Sequence, residues 1–111
     1  MVDISVIITF HSEGMLAIPT LRALASCLIH ARDHRISFET ICVLDRATAL
    51  TEQIVSAWAL RVPTCTVLRA DNGDLGLSRN NGVRASSGSF IAIFDGDDYF
   101  SSNWLSSCHM H

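Results

Sequence analysis

Four strand-length apolar runs, each separated from the next by a helical pattern, constrain this 111-residue chain more than any other feature. The runs are Ile4 to Phe10 (ISVIITF), Phe38 to Leu44 (FETICVL), Thr64 to Leu68 (TCTVL) and Ser89 to Phe94 (SFIAIF). All are rich in β-branched or aromatic residues, which suit a pleated, packed surface. The first, second and fourth show little strict alternation, so a sheet covered on both faces is expected for them. The 49% hydrophobic and 17% charged composition points the same way.

Between the runs the apolar period changes from two to three or four. Leu21, Leu24, Ala25, Leu28 and Ile29 predict a helix with Pro19 in its first turn. Ile54, Val55 and Trp58 predict a second helix from near Thr51. Leu77, Asn80, Val83 and Arg84 predict a third, shorter one, with Gly88 as its stop. The order is therefore βαβαβαβ. It implies an α/β domain with a mostly parallel sheet and right-handed crossovers, a single domain over residues 1–111. Ser102 could cap a further helix holding Trp104 and Leu105, which suggests a domain incomplete at its C-terminus.

Several function classes are disfavoured. The formal net charge is -3 and the basic residues form no stripe, so no nucleic-acid partner is expected. Cys27, Cys42, Cys65 and Cys108 make no C-x-x-C pair and sit among apolar neighbours, as reduced thiols of a cytoplasmic protein would. No basic region precedes an apolar run at the start, and no signal peptide is read there. No run matches the roughly 20 apolar residues of a membrane helix, so membrane association would come through partners or other regions. Oligomerisation is left open.

The polar residues just after each strand carry the functional signal. Thr9, His11 and Glu13 end the first; Asp45 ends the second; Asp71, Asn72 and Asp74 follow the third; Asp95, Asp97 and Asp98 follow the fourth. Ligands of open α/β sheets bind at this carboxyl edge. Clustered carboxylates repel one another, and a divalent cation relieves that repulsion. Oxygen ligands suit Mg²⁺ or Mn²⁺ shared with substrate phosphates. There is no P-loop and no G-x-G-x-x-G after the first strand. Phosphate would thus be met by the metal and by Arg79, beside the Gly73 and Gly76 loop.

Four segments in order now resemble one family. ISVIITFHSEG, ETICVLDRATALT, DNGDLGLSRNNGVRASSGSFIAIF and DGDDYFSSNWL are similar to the N-terminal, nucleotide-sugar-binding half of family 2 glycosyltransferases, of the Rossmann-like GT-A fold. The resemblance implies transfer from a nucleotide-diphosphate sugar, a UDP-sugar in most relatives, to an acceptor hydroxyl with inversion, as in polysaccharide biosynthesis. Thr9, His11 and Glu13 would line the base and ribose pocket, Asp45 would bond the base, and Asn72 and Arg79 would belong to the nucleotide site. Asp95 would support the Asp-x-Asp-Asp motif, Asp97 would meet ribose or metal, and Asp98 would bind Mn²⁺ or Mg²⁺. The general base is expected beyond residue 111; His109 and His111 read as terminal residues. The chain departs from the family at Leu44, where a first acid is usual, and at Arg46 and Ala47, where Gly-Ser is common. Two other readings stand beside this one. One is a non-catalytic nucleotide-binding module. The other is a haloacid dehalogenase-type phosphatase, whose Asp-x-Asp would follow the first strand rather than the fourth.

Overall fold

A computed structural model of the chain describes residues 2–62 and 64–96. Its elements are β1 (Ile4–Phe10), a 3₁₀ turn (Gly14–Leu16), α1 (Ala17–Asp33), β2 (Phe38–Asp45), α2 (Ala49–Ala59), β3 (Cys65–Ala70), α3 (Leu75–Ala85) and β4 (Phe90–Asp95). The strands form one parallel sheet in the order β3-β2-β1-β4. The expected α/β architecture is what forms.

Handedness dictates the layers. From β1 through β3 the chain steps outward in one direction, so right-handed crossovers put α1 and α2 on one face. It then crosses back past β1 to β4, and the same rule puts α3 on the other face. The core divides accordingly. Ile4, Val6, Ile8 and Phe10 of β1 pack with Leu21, Leu24 and Leu28 of α1 and Val55 of α2. Ile7, Ile41 and Val43 form a separate cluster with Val83 of α3. Central β1 is buried along its whole length, as its unbroken apolar run predicts.

The helices are set by local chemistry. Thr48 caps α2 through its hydroxyl, which accepts from Thr51 N. Asp74 caps α3 in the same way, accepting from Leu77 N at 2.8 Å. α3 reaches the sheet through small residues. Ser78 and Gly82 are its buried positions, and a Cβ on Gly82 would run into Ile7 Cγ2.

Four expectations are corrected. α3 does not bury the predicted stripe: Leu77 is 52% exposed and Asn80 and Arg84 are exposed, because its close approach needs the small face. On α1 the buried stripe runs through Cys27 and Ala31, while Ile29 is exposed. β4 is not covered on both faces, since Phe90, Ile91 and Ile93 are each more than 40% exposed. Among the described residues it borders the sheet, and α3 packs over β1 and β2 rather than over it. The 20-residue helical stretch Gly14–Asp33 is also long and apolar enough to cross a membrane by length and composition, contrary to expectation. Here it supplies Ala17, Leu21, Leu24, Cys27, Leu28 and Ala31 to the core, and core helices pass the same test.

Candidate functional site

The sheet order reverses between β1 and β4, and that switch point is where the polar strand ends meet. Thr9 pairs in register with Asp95 there, and its hydroxyl donates to Asp95 Oδ1 at 3.3 Å. A crevice opens above them, lined by Thr9, Phe10, His11, Glu13, Asp45, Gly73, Asp74, Leu75, Ser78 and Asp95. Six expected polar residues, Thr9, His11, Glu13, Asp45, Asp74 and Asp95, thus share one wall system.

Each of these side chains is already oriented. Glu13 Oε1 accepts from the His11 backbone N–H at 2.6 Å, closing the turn after β1. His11 Nδ1 lies 2.9 Å from the Asp45 carbonyl oxygen. A carbonyl can only accept, so Nδ1 carries the proton and Nε2 is the ring's second polar edge. Gly96 lets the turn after β4 approach β1, since a Cβ there would lie 2.5 Å from Phe10 Cδ1 and 2.9 Å from Glu13 Cδ.

Asp45 has a role that sequence reasoning missed. It is 6% exposed. Its Oδ1 accepts from Asn72 N at 2.8 Å and Gly73 N at 3.0 Å, and its Oδ2 from Asp74 N at 3.1 Å and Ser78 Oγ at 2.8 Å. A carboxylate has about four lone-pair positions, and all are engaged. In this conformation Asp45 anchors the loop before α3. Burial alone would raise its pKa; the bonds from Gly73, Ser78, Asn72 and Asp74 outweigh that and hold it at about 2.

Two expected residues stand behind the wall rather than in it. The Asn72 backbone serves Asp45, and its side chain reaches Ser78 Oγ and the carboxamide of Asn81. Arg79 sits one turn into α3 and bonds Asp95 Oδ1 through Nη2 at 2.9 Å, while its buried Nε has no partner among the described residues. Phe10, Leu75 and Ser78 line the crevice and were not foreseen. The only sequence cue to Ser78 was its place one turn after the capping Asp74.

The metal residues expected from sequence, Asp97 and Asp98, lie outside the described residues. Among the described residues no group of three or more His, Cys, Asp or Glu side chains is placed to hold an ion. The end of β1, where a dehalogenase-type phosphatase would carry its acid nucleophile, is occupied by Thr9 and His11.

An open parallel sheet of this order, with a crevice at its switch point, matches the N-terminal part of a GT-A fold. The chain belongs to glycosyl transferase family 2, whose family model matches residues 5–109. It is 38% identical over 64 residues to an uncharacterized glycosyltransferase, EpsJ of Bacillus subtilis (strain 168), covering 58% of this chain and 19% of that protein. Among solved structures it superposes on S. aureus TarS 1-349 with a TM-score of 0.82 at 24% identity, covering 97% of this chain and 31% of that one. TarS 1-349 in complex with UDP superposes equally, with a TM-score of 0.82. These structural likenesses speak to the fold. The chain spans about a fifth of EpsJ and under a third of TarS 1-349.

Proposed function

We propose that this chain is the donor-binding unit of a glycosyltransferase that uses a nucleotide-diphosphate sugar, a UDP-sugar by preference. The observation that carries the proposal is the crevice itself. Family membership over residues 5–109 coincides with a crevice at the switch point between β1 and β4 that gathers Thr9, His11, Glu13 and Asp95. A related fold in TarS has been crystallised with UDP, which supports uracil as the base.

In this reading the Thr9–His11–Glu13 turn receives base and ribose. His11 is fixed by Asp45 carbonyl and offers Nε2 to the ligand. Arg79 stands beside Asp95, one turn from the N-terminus of α3, where positive charge favours a diphosphate. Asp97 and Asp98 are the residues proposed to hold Mn²⁺ or Mg²⁺, which when bound would offset charge on the diphosphate leaving group. Transfer to an acceptor hydroxyl with inversion needs a general base, and none of the crevice residues is assigned to it.

Calorimetry with UDP and Mn²⁺ tests the proposal. Expected is metal-dependent heat that disappears in Asp98→Ala. No binding by the unaltered chain, or identical heat in the variant, would sink it.

A further inference from the structure

Arg46 is out of place twice. It stands where the resembled family commonly has glycine, and its backbone holds φ 49°, a left-handed conformation that suits glycine and disfavours arginine. The backbone reason for the turn is plain: Arg46 N donates to Ala70 O, one step past the Asp45–Ala70 pairing of β2 with β3. That reason would be served better by glycine. The side chain must therefore account for the arginine.

The guanidinium lies across the loop between β3 and α3. Nε bonds Asp71 Oδ1 and Nη2 reaches the Asp71 carbonyl at 3.5 Å. It also rests on Gly73, where a Cβ would come within 2.6 Å of Nη1 and 3.0 Å of Cζ. Gly73 has φ 61° besides, so its backbone conformation reserves that position for glycine. Consecutive residues thus grip one loop from two sides. Asp45 bonds the amides of Asn72, Gly73 and Asp74, and Arg46 covers the loop at Asp71 and Gly73. Gly73 and Asp74 line the crevice, and Asp74 caps the helix that carries Ser78 and Arg79.

We propose that Arg46 is a positioning residue for donor binding: with Asp71 it clamps the loop before α3 and so fixes that wall of the crevice. The inference rests on the donor-binding reading above. The Arg46–Asp71 pair is exposed, at 56% and 88%, and a pair so exposed adds little stability. Its effect is to narrow the loop's conformations, which a ligand would otherwise have to do at a cost in affinity.

Arg46→Gly separates this role from folding, because glycine relieves the left-handed backbone. Hydrogen exchange of the Asn72, Gly73 and Asp74 amides is measured in the full chain without ligand, UDP affinity by calorimetry, and melting temperature alongside. Exchange should rise and UDP affinity fall by about three- to fivefold, the scale of one exposed charge pair. The melting temperature should hold or increase. Asp71→Asn should give the same loss, the double variant no more, and Arg46→Lys a partial recovery. Unchanged exchange and affinity in Arg46→Gly would overturn the proposal, as would a loss that merely tracks a lower melting temperature. If the unaltered chain binds no nucleotide, the donor reading and the positioning role fall together, while the exchange result separately decides whether the clamp exists.

Discussion

Arg79 and Asp95 satisfy each other across the gap between α3 and β4, with Nη2 2.9 Å from Oδ1. The cation proposed to meet the diphosphate is therefore held by the acid that ends β4. Both side chains remain about a third exposed, at 39% and 33%, so the pair can be exchanged for a ligand anion without a deep desolvation penalty. Thr9 shares the same carboxylate oxygen, which ties the guanidinium to the end of β1 as well.

Arg79→Ala should consequently weaken UDP binding by about 1.5–3 kcal/mol, the usual range for a hydrogen bond to a charged group. Calorimetry on the variant at low salt checks this. Equal affinity with and without Arg79 would show that the diphosphate lies elsewhere.

Stability should fall in acid for a specific reason. Asp45 has an ordinary pKa of 3.8 when unfolded and about 2 in the folded chain. Burial raises it, and four hydrogen bonds to the ionised form more than reverse that. Glu39 is shifted downward too: burial opposes, but bonds from the Ser5 hydroxyl, from Ser87 and from the Gly88 amide win. A depressed carboxylate stabilises fully above its unfolded pKa and loses that contribution as pH falls toward its folded value. Melting temperature should therefore be level above about pH 5 and drop progressively below it, with the Asp45 part lost between 3.8 and about 2. Asp45→Asn should flatten the lower part of that profile and cost about 2–4 kcal/mol at neutral pH, since loop donors lose a charged acceptor. A variant with the parental acid profile would refute the assignment.

How far the sequence reached depends on what kind of packing was involved. β1 was readable from Ile4 to Phe10 because a central parallel strand is apolar on both faces and prints as an unbroken run. β4 prints a similar run, yet among the described residues it borders the sheet with Ile91 and Ile93 exposed, and strand order leaves no trace in hydrophobicity. α3 was misread along its length because it packs through Ser78 and Gly82, and smallness carries no apolar period. At the site, the positions of Thr9, Asp45 and Asp95 followed from strand ends. The use of Asp45 did not, because its partners are mostly backbone amides, and any sequence supplies those.

Gly82→Ala sets two known effects against each other. Alanine in a helix interior gains about 0.8–1.0 kcal/mol over glycine. The new methyl would overlap Ile7 Cγ2, and Ile7 is wholly buried in the central strand. Overpacking of that kind costs about 1–3 kcal/mol, so the net effect should be destabilising by up to about 2 kcal/mol. Urea denaturation measures it. A stabilised variant would mean that α3 sits farther from the sheet. Combining it with Ile7→Ala, which removes the clashing Cγ2, should cost less than the sum of the two single losses.

Gly96→Ala should damage binding more than folding. The added Cβ would meet the Phe10 ring at 2.5 Å and the Glu13 carboxyl carbon at 2.9 Å. Phe10 is 1% exposed and has no free volume to retreat into. Glu13 is the softer neighbour, so it should yield first, and moving it breaks its bond to the His11 amide. His11 then loses the turn that fixes it, although its ring contact to the Asp45 carbonyl holds the other end. The expected stability loss is about 1–2 kcal/mol, in the lower part of the overpacking range. UDP affinity should fall by about tenfold, because the displaced turn forms the proposed base and ribose wall. Calorimetry and a melting curve on the same preparation decide between two sources of the loss. Weakened binding with most of the melting temperature retained places the damage in the crevice. Intact binding would show that the Thr9–Glu13 turn does not touch the nucleotide.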